Sequence, residues 1–84
     1  MNIKIIVNPL AGNGAARETG YEVEKFLCER GIEYSLDSTF RPKGATSLSK
    51  KAISEGFELI IAVGGDGTVN EVANGMMGSG SALA

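Results

Sequence analysis

Histidine is absent from this 84-residue chain, and cysteine occurs once, as Cys28. A single cysteine excludes a disulfide within the chain, and the lack of histidine excludes a zinc site of the Cys/His type. Cys28 falls at a core position of a predicted helix, and free cysteines are commonly buried. We therefore expect a buried, inert thiol at this position.

Runs of basic residues and long apolar runs are also missing. The net charge is −2, so the composition gives no sign of attraction to nucleic acid or to an anionic membrane. No apolar run approaches the roughly 18 residues of a membrane span, and the N-terminal residues are typical of a strand rather than a signal peptide. The sequence predicts a small globular unit without a transmembrane segment, located in the cytoplasm.

Strand and helix patterns alternate three times along the chain. The predicted elements are strands at 3–7, 32–36 and 59–63 and helices at 15–30, 45–53 and 68–77, with a turn at 41–44. This order predicts an α/β fold with three α/β/α layers and a parallel, Rossmann-like sheet with right-handed crossovers. The half-buried second strand is expected near an edge, and the third, apolar on both faces, near the centre.

The most informative segment, Gly64-Gly65-Asp66-Gly67-Thr68, links the third strand to the third helix. Glycines permit positive φ angles and let a ligand approach the main chain closely. The helix that follows directs free N–H groups and the positive end of its dipole into this turn, as in phosphate sites. Asp66 would repel a bare phosphate, so its carboxylate indicates a metal ion or a hydroxyl beside the phosphates. The segment predicts a nucleotide-binding element of a kinase.

Other interpretations use some of the same residues. Thr68 and Glu71 fit a capping box with Thr68 as the N-cap, which would explain both residues without a ligand. A P-loop is excluded because no Gly-Lys-Ser or Gly-Lys-Thr follows at the required spacing. A dinucleotide-binding fingerprint would use Gly12-Asn13-Gly14 and Asp37, but Arg17 stands where its third glycine belongs.

Three loops are expected to meet at one edge of the sheet. Residues 8–14 follow the first strand, Thr39 follows the second, and residues 64–67 follow the third. Parallel α/β sheets bind ligands at the carboxyl ends of their strands. We therefore expect these loops to form one site.

These residues resemble a known family. Val7-Asn8-Pro9-Leu10-Ala11-Gly12, then Thr39, then the long segment from Gly64 to Gly75 are similar, in this order, to the diacylglycerol kinase catalytic domain, and especially to bacterial soluble lipid kinases. The Gly-Gly-Asp-Gly-Thr segment is shared more distantly with NAD kinases and phosphofructokinases. The resemblance implies nucleotide contacts from Asn8, Pro9, Leu10, Ala11, Gly12, Thr39, Gly64, Gly65, Asp66, Gly67, Thr68, Val69 and Asn70.

The resemblance also implies an activity. A full-length enzyme of this kind would transfer the γ-phosphate of ATP to a lipid hydroxyl such as that of diacylglycerol. Asp66 would support catalysis, while the catalytic base, the ligands of Mg²⁺ and the lipid site would lie in a second domain that can contact a membrane peripherally. No metal ligand is expected in this chain. The alternatives are an NAD kinase-like phosphotransferase and a nucleotide-binding module without catalysis.

The last residues suggest an incomplete unit. Residues 78–81 resemble a linker, and residues 82–84 begin an apolar run. We expect residues 1–84 to form part of a nucleotide-binding domain that is truncated after the third helix and inactive in isolation. The strand at 59–63 would then keep an unpaired edge, which invites pairing with another chain. The sequence therefore predicts self-association, most simply as a homodimer.

Overall fold

A computed structural model describes residues 2–40 and 43–84, along which strands and helices alternate. The elements are β1 (Ile3–Val7), α1 (Ala15–Glu29), β2 (Ser35–Ser38), α2 (Gly44–Ser54), β3 (Leu59–Val63), α3 (Asp66–Gly75) and β4 (Ala82–Leu83). The strands pair in parallel in the order β2-β1-β3-β4. The predicted parallel α/β fold is confirmed. The turn predicted at 41–44 includes Arg41 and Pro42, which lie outside the described residues.

β1 separates two apolar cores. All five of its residues are buried, because the strand is paired on both edges and covered on both faces. Ile3, Ile5 and Val7 pack against a cluster that includes Ala16 and Leu27 of α1. On the opposite face, Ile6 belongs to a cluster whose other buried members are Ala45, Ala52, Ile60, Val72 and Met76. Helices therefore cover both faces of the sheet, as the predicted three layers require.

A lysine lies within the central strand. Lys4 is only 8% exposed, and its Nζ lies 2.9 Å from Oδ2 of Asp37 and 4.8 Å from the ring centroid of Phe57. A buried ammonium group needs such partners to offset its lost hydration. The carboxylate of Asp37 thus pairs with Lys4. This pairing counts against the dinucleotide interpretation, which assigned the same carboxylate to a ribose.

The second strand begins later than predicted because the end of α1 takes up the preceding residues. Gly31 adopts a φ of 68°. Its N–H donates to the carbonyl of Cys28 at 3.1 Å, and the N–H of Ile32 donates to that of Leu27 at 3.0 Å. This pair of bonds is a Schellman motif, which satisfies the last carbonyls of a helix. Ile32 therefore belongs to the helix end rather than to β2.

Two further expectations are wrong. Cys28 is exposed, because α1 turns Leu27 into the core and the next residue away from it. β3 does not keep an unpaired edge: Leu59 and Ile60 align with Ala82 and Leu83 of β4. The unpaired edge of β3 therefore no longer supports a homodimer, which stays a prediction. Among the described residues, no helix is both long enough and apolar enough to cross a membrane.

α2 and α3 approach each other closely at Gly75. A Cβ on Gly75 would overlap the side chain of Ser49, which is fully buried, and would lie 2.6 Å from the backbone carbonyl oxygen of Thr46. Beside this contact, the hydroxyl of Thr46 donates to the carbonyl of Glu71 at 2.9 Å. The close contact of α3 with α2 therefore requires glycine at position 75 and is supported by this hydrogen bond.

Gly75→Ala should destabilise the protein by about 1–3 kcal/mol, since the added methyl group has no room against backbone atoms of α2. Gly80→Ala is the matched control, because a Cβ at Gly80 meets no atom within 4 Å. Urea denaturation of both variants measures the difference. Equal stability of the two would show that α3 does not pack on α2 as described.

Candidate functional site

The strand order creates a crevice between β1 and β3. The chain leaves β1 towards α1 on one face of the sheet and leaves β3 towards α3 on the other face. Adjacent parallel strands whose following loops diverge in this way define a topological switch point, where open α/β sheets bind ligands. The loops at 8–14 and 64–65 border this crevice.

The crevice contains a cleft of about 270 Å³, which we call the phosphate cleft. It is lined by Ala11, Gly12, Ala15, Ala16, Thr19, Val63, Gly64 and Gly65. Most of these side chains are very small or absent, so a ligand here would contact backbone more than side chains. Such a surface suits a group that is recognised by main-chain N–H donors.

Free main-chain donors lie next to this cleft, at the start of α3. Its N-cap is Gly65, which has no side chain to cap the helix. The first backbone bond of this turn runs from the N–H of Val69 to the carbonyl of Gly65 at 3.2 Å. Within the described part of the chain, the N–H groups of Asp66, Gly67 and Thr68 donate to no protein acceptor. Unpaired amides at the positive end of a helix dipole are suited to an anion.

The glycines of this turn act differently from the expectation. None of Gly64, Gly65 and Gly67 has a positive φ, and Gly65 has a φ of −86°. A Cβ on Gly64 would lie 2.5 Å from Oγ1 of Thr68, so this glycine lets α3 pack onto the turn. A Cβ on Gly65 or Gly67 would meet nothing within 4 Å. The fold therefore does not need glycine at these two positions, whereas a ligand close to the main chain would.

The left-handed backbone lies instead in the loop after β1. Gly12, Asn13 and Gly14 have φ values of 62°, 55° and 93°. Asn8 anchors the start of this loop: its N–H donates to the carbonyl of Val63 at 2.9 Å, and its Oδ1 accepts from the N–H of Leu10 at 3.3 Å. The loop is thereby tied to β3 and held against the phosphate cleft.

The structure brings only part of the predicted site together. Ala11, Gly12, Gly64 and Gly65 line the phosphate cleft, and Asp66 and Gly67 follow directly in the first turn of α3. Leu10 is exposed, Pro9 lines a separate cleft beside α1, and Val69 and Asn70 lie exposed farther along α3.

The two threonines are placed differently from the other residues. Thr68 is buried against Gly64 and lies inside α3, so it is neither the predicted N-cap nor an open contact. Thr39 is buried as well, and its N–H donates to the carbonyl of Val7 at 2.9 Å. It borders a further cleft of about 230 Å³ near the start of α2.

Sequence reasoning missed the contribution of α1. Ala15, Ala16 and Thr19 form the wall of the phosphate cleft opposite α3. The available signal was a group of small residues in the first turns of a helix that follows a glycine loop.

The carboxylate of Asp66 is exposed in the first turn of α3, where the helix dipole favours a negative charge. Among the described residues, no group of three or more Asp, Glu or Cys side chains could hold a metal ion together. The helix dipole explains why a carboxylate is tolerated at this position. It does not explain why a carboxylate lies beside amides that are themselves suited to an anion.

The fold is a parallel α/β unit with helices on both faces and a cleft at its topological switch point. Residues 2–84 match the family model described as the diacylglycerol kinase catalytic domain, so the chain belongs to this family. Over 73 residues it is 40% identical to the diacylglycerol kinases of Staphylococcus carnosus and Bacillus subtilis, covering 87% of this chain and 24% of each relative. The chain therefore spans about a quarter of the length of these relatives.

A solved structure described as a candidate diacylglycerol kinase from Bacillus anthracis superimposes with a TM-score of 0.81 at 29% identity. The match covers 98% of this chain and 30% of that protein. It supports the same arrangement of sheet and helices in this chain.

The turn glycines give a test with an internal control. Gly65→Ala should leave the free energy of unfolding within about 0.5 kcal/mol of the original, since the new methyl group meets open space. It should nevertheless weaken the binding of inorganic triphosphate, measured by calorimetry. Gly64→Ala should show a loss of stability of about 1–3 kcal/mol, because its methyl group would collide with Thr68. Unchanged triphosphate binding by Gly65→Ala would show that the turn is structural only.

Proposed function

We propose that this chain is the ATP-binding part of a lipid kinase that transfers the γ-phosphate of ATP to a lipid hydroxyl, such as that of diacylglycerol. The observation that carries this proposal is the phosphate cleft, where Gly65, a glycine that the fold itself does not require, is followed directly by three unpaired amides of α3. The names of the bacterial relatives support a lipid acceptor.

The residues present fit the phosphates of a nucleotide. The N–H groups of Asp66, Gly67 and Thr68 would donate to phosphate oxygens, and the absence of a Cβ at Gly65 and Gly67 would let those oxygens reach the main chain. The left-handed loop at Gly12-Asn13-Gly14 would form the opposite wall with α1. Backbone recognition of this kind holds the reacting phosphate in place, which is the main task of a phosphoryl-transfer enzyme.

Asp66 would orient the reacting groups at the edge of the phosphate cleft. A carboxylate beside phosphates is favourable only where a cation offsets the repulsion, and Mg²⁺ bound with ATP would supply that positive charge. In the transfer, the lipid oxygen forms a bond to the γ-phosphorus and the bond to the bridging oxygen of ADP breaks. The proton of the lipid hydroxyl passes to a base, which we place in the rest of the full-length protein with the metal ligands and the lipid site.

The proposal also covers the location and the assembly of the full-length protein. An enzyme that acts on a membrane lipid has to reach the bilayer surface, so we place it in the cytoplasm with peripheral membrane contact. Homodimerisation and inactivity of the isolated 84 residues belong to the same proposal. The family and the named relatives favour a lipid acceptor over NAD, although an NAD kinase would use a similar glycine turn.

Asp66→Asn in the full-length protein should lower turnover by about 10³-fold without changing the fold, because transfer depends on charge placement around the phosphates. The measurement is ATP turnover with diacylglycerol, sphingoid base and NAD as separate acceptors. Glu55→Gln, which removes one charge at the exposed C-terminal end of α2, is the control and should retain full activity. Turnover of Asp66→Asn close to that of the control would contradict a catalytic role for Asp66, and turnover with NAD alone would contradict the lipid acceptor.

A further inference from the structure

The first turn of α3 carries the amides proposed to bind phosphate, yet little in the turn itself holds it in place. Its N-cap, Gly65, provides no side-chain hydrogen bond to the helix. A Cβ on Gly65 or Gly67 would meet no atom within 4 Å, so no neighbouring element supports either position. Of residues 65–68, only Thr68 is buried, beneath Gly64. The direction of these amides therefore depends on where the rest of α3 is held.

α2 holds α3 at two points that are one helical turn apart. The first is the hydrogen bond from the hydroxyl of Thr46 to the carbonyl of Glu71, at 2.9 Å. Within residues 2–40 and 43–84, no other side chain outside α3 forms a hydrogen bond to this helix. The second point is the contact of Gly75 with Ser49, where no Cβ would fit. Two such points fix both the direction of α3 and its position along its own axis.

α2 can act as a fixed support because it is itself packed on the sheet. Ala45 and Ala52 are buried in the cluster beneath the helix, together with Ile6 of β1 and Ile60 of β3. The contacts therefore run from the central strands to α2, and from α2 through Thr46 to the middle of α3.

The hydrogen bonds of Thr46 lie beside a largely apolar cluster. Its carbonyl accepts from the hydroxyl of Ser49 at 3.0 Å, and Ser49 is fully buried. Apolar contacts are non-directional and tolerate small shifts of one helix along another. A hydrogen bond weakens steeply when its geometry changes. A buried polar contact can therefore specify the register of two packed helices while adding little stability.

We infer that Thr46 is a positioning residue for the proposed phosphate site: its hydrogen bond to Glu71 sets the register of α3 on α2 and thereby aims the amides of the first turn. Thr46 does not line the phosphate cleft. It acts through the helix, since Glu71 lies about 7–8 Å along the axis from Asp66 at 1.5 Å per residue. The inference rests on the proposed function, because the start of a helix that binds nothing needs no particular direction.

Thr46→Val tests this inference, because valine keeps the shape of threonine and lacks the donor. The carbonyl of Glu71 lies inside α3 and keeps its helical partner, so the variant should fold. In the full-length protein, the calorimetric affinity for inorganic triphosphate should fall about tenfold, since displaced amides no longer converge on the phosphates. The KM for ATP should rise by a similar factor, and the KM for diacylglycerol should not change.

Two further variants serve as controls. Thr46→Ser keeps the hydroxyl and should restore both the triphosphate affinity and the KM for ATP. Ser54→Ala removes a hydroxyl that donates to the carbonyl of Lys51 at 2.7 Å, within the exposed end of α2, and should change neither value. A residue that contributed to stability alone would lower the folded fraction and hence kcat, and would leave the KM for ATP unchanged.

The outcomes separate this inference from the proposed function. A triphosphate affinity of Thr46→Val equal to that of Ser54→Ala would overturn the positioning role and leave the phosphate cleft standing. A lower kcat with an unchanged KM for ATP, or a loss of affinity that Thr46→Ser does not restore, would overturn it as well. Absence of triphosphate binding by the unmodified protein would contradict the phosphate cleft and, with it, this inference.

Discussion

The structure depends on the parallel pairing of β1 with β3. The two strands align from Ile3 with Leu59 to Val7 with Val63, and the N–H of Asn8 extends the ladder by donating to the carbonyl of Val63 at 2.9 Å. Because the chain then turns to opposite faces of the sheet, this single pairing places the start of α1 and the start of α3 on either side of one crevice. A slip of one residue would exchange the two faces of β1 and place the wrong side chains in both apolar cores. The apolar core and the position of the phosphate cleft therefore have the same cause.

Three glycines determine the position of α3 and the access to that cleft. Gly64 and Gly75 allow α3 to pack against the turn before it and against α2, and a methyl group at either position would meet protein atoms. Gly65 faces open space at the mouth of the cleft. Close packing therefore fixes the helix, while the lack of a side chain at its N-cap leaves the amides accessible. This combination agrees with the proposed binding of phosphate by main-chain N–H groups, without a basic side chain, in a member of the diacylglycerol kinase family.

Much of the fold could be predicted because the relevant signals are local. The apolar runs at 3–7 and 59–63 coincide with β1 and β3, and glycine and asparagine mark the loops that follow them. The start of α3 was predicted two residues late, since a capping pattern at Thr68 looks the same in sequence whether its hydroxyl caps the helix or packs under Gly64. The wall of the phosphate cleft depends on how α1 lies across the sheet, and the sequence marks this wall only by the small residues in the first turns of that helix.

The most direct test of the account is a two-dimensional ¹H–¹⁵N spectrum of the protein recorded during titration with inorganic triphosphate. The account predicts that the amide signals of Asp66, Gly67 and Thr68 shift most, because their N–H groups have no acceptor among the described residues and follow directly after Gly64 and Gly65, which line the phosphate cleft. The amides at the start of β1, at the opposite edge of the sheet, should not move. Shifts confined to other parts of the chain, or no shifts at saturating triphosphate, would contradict the assignment of this cleft as the phosphate site.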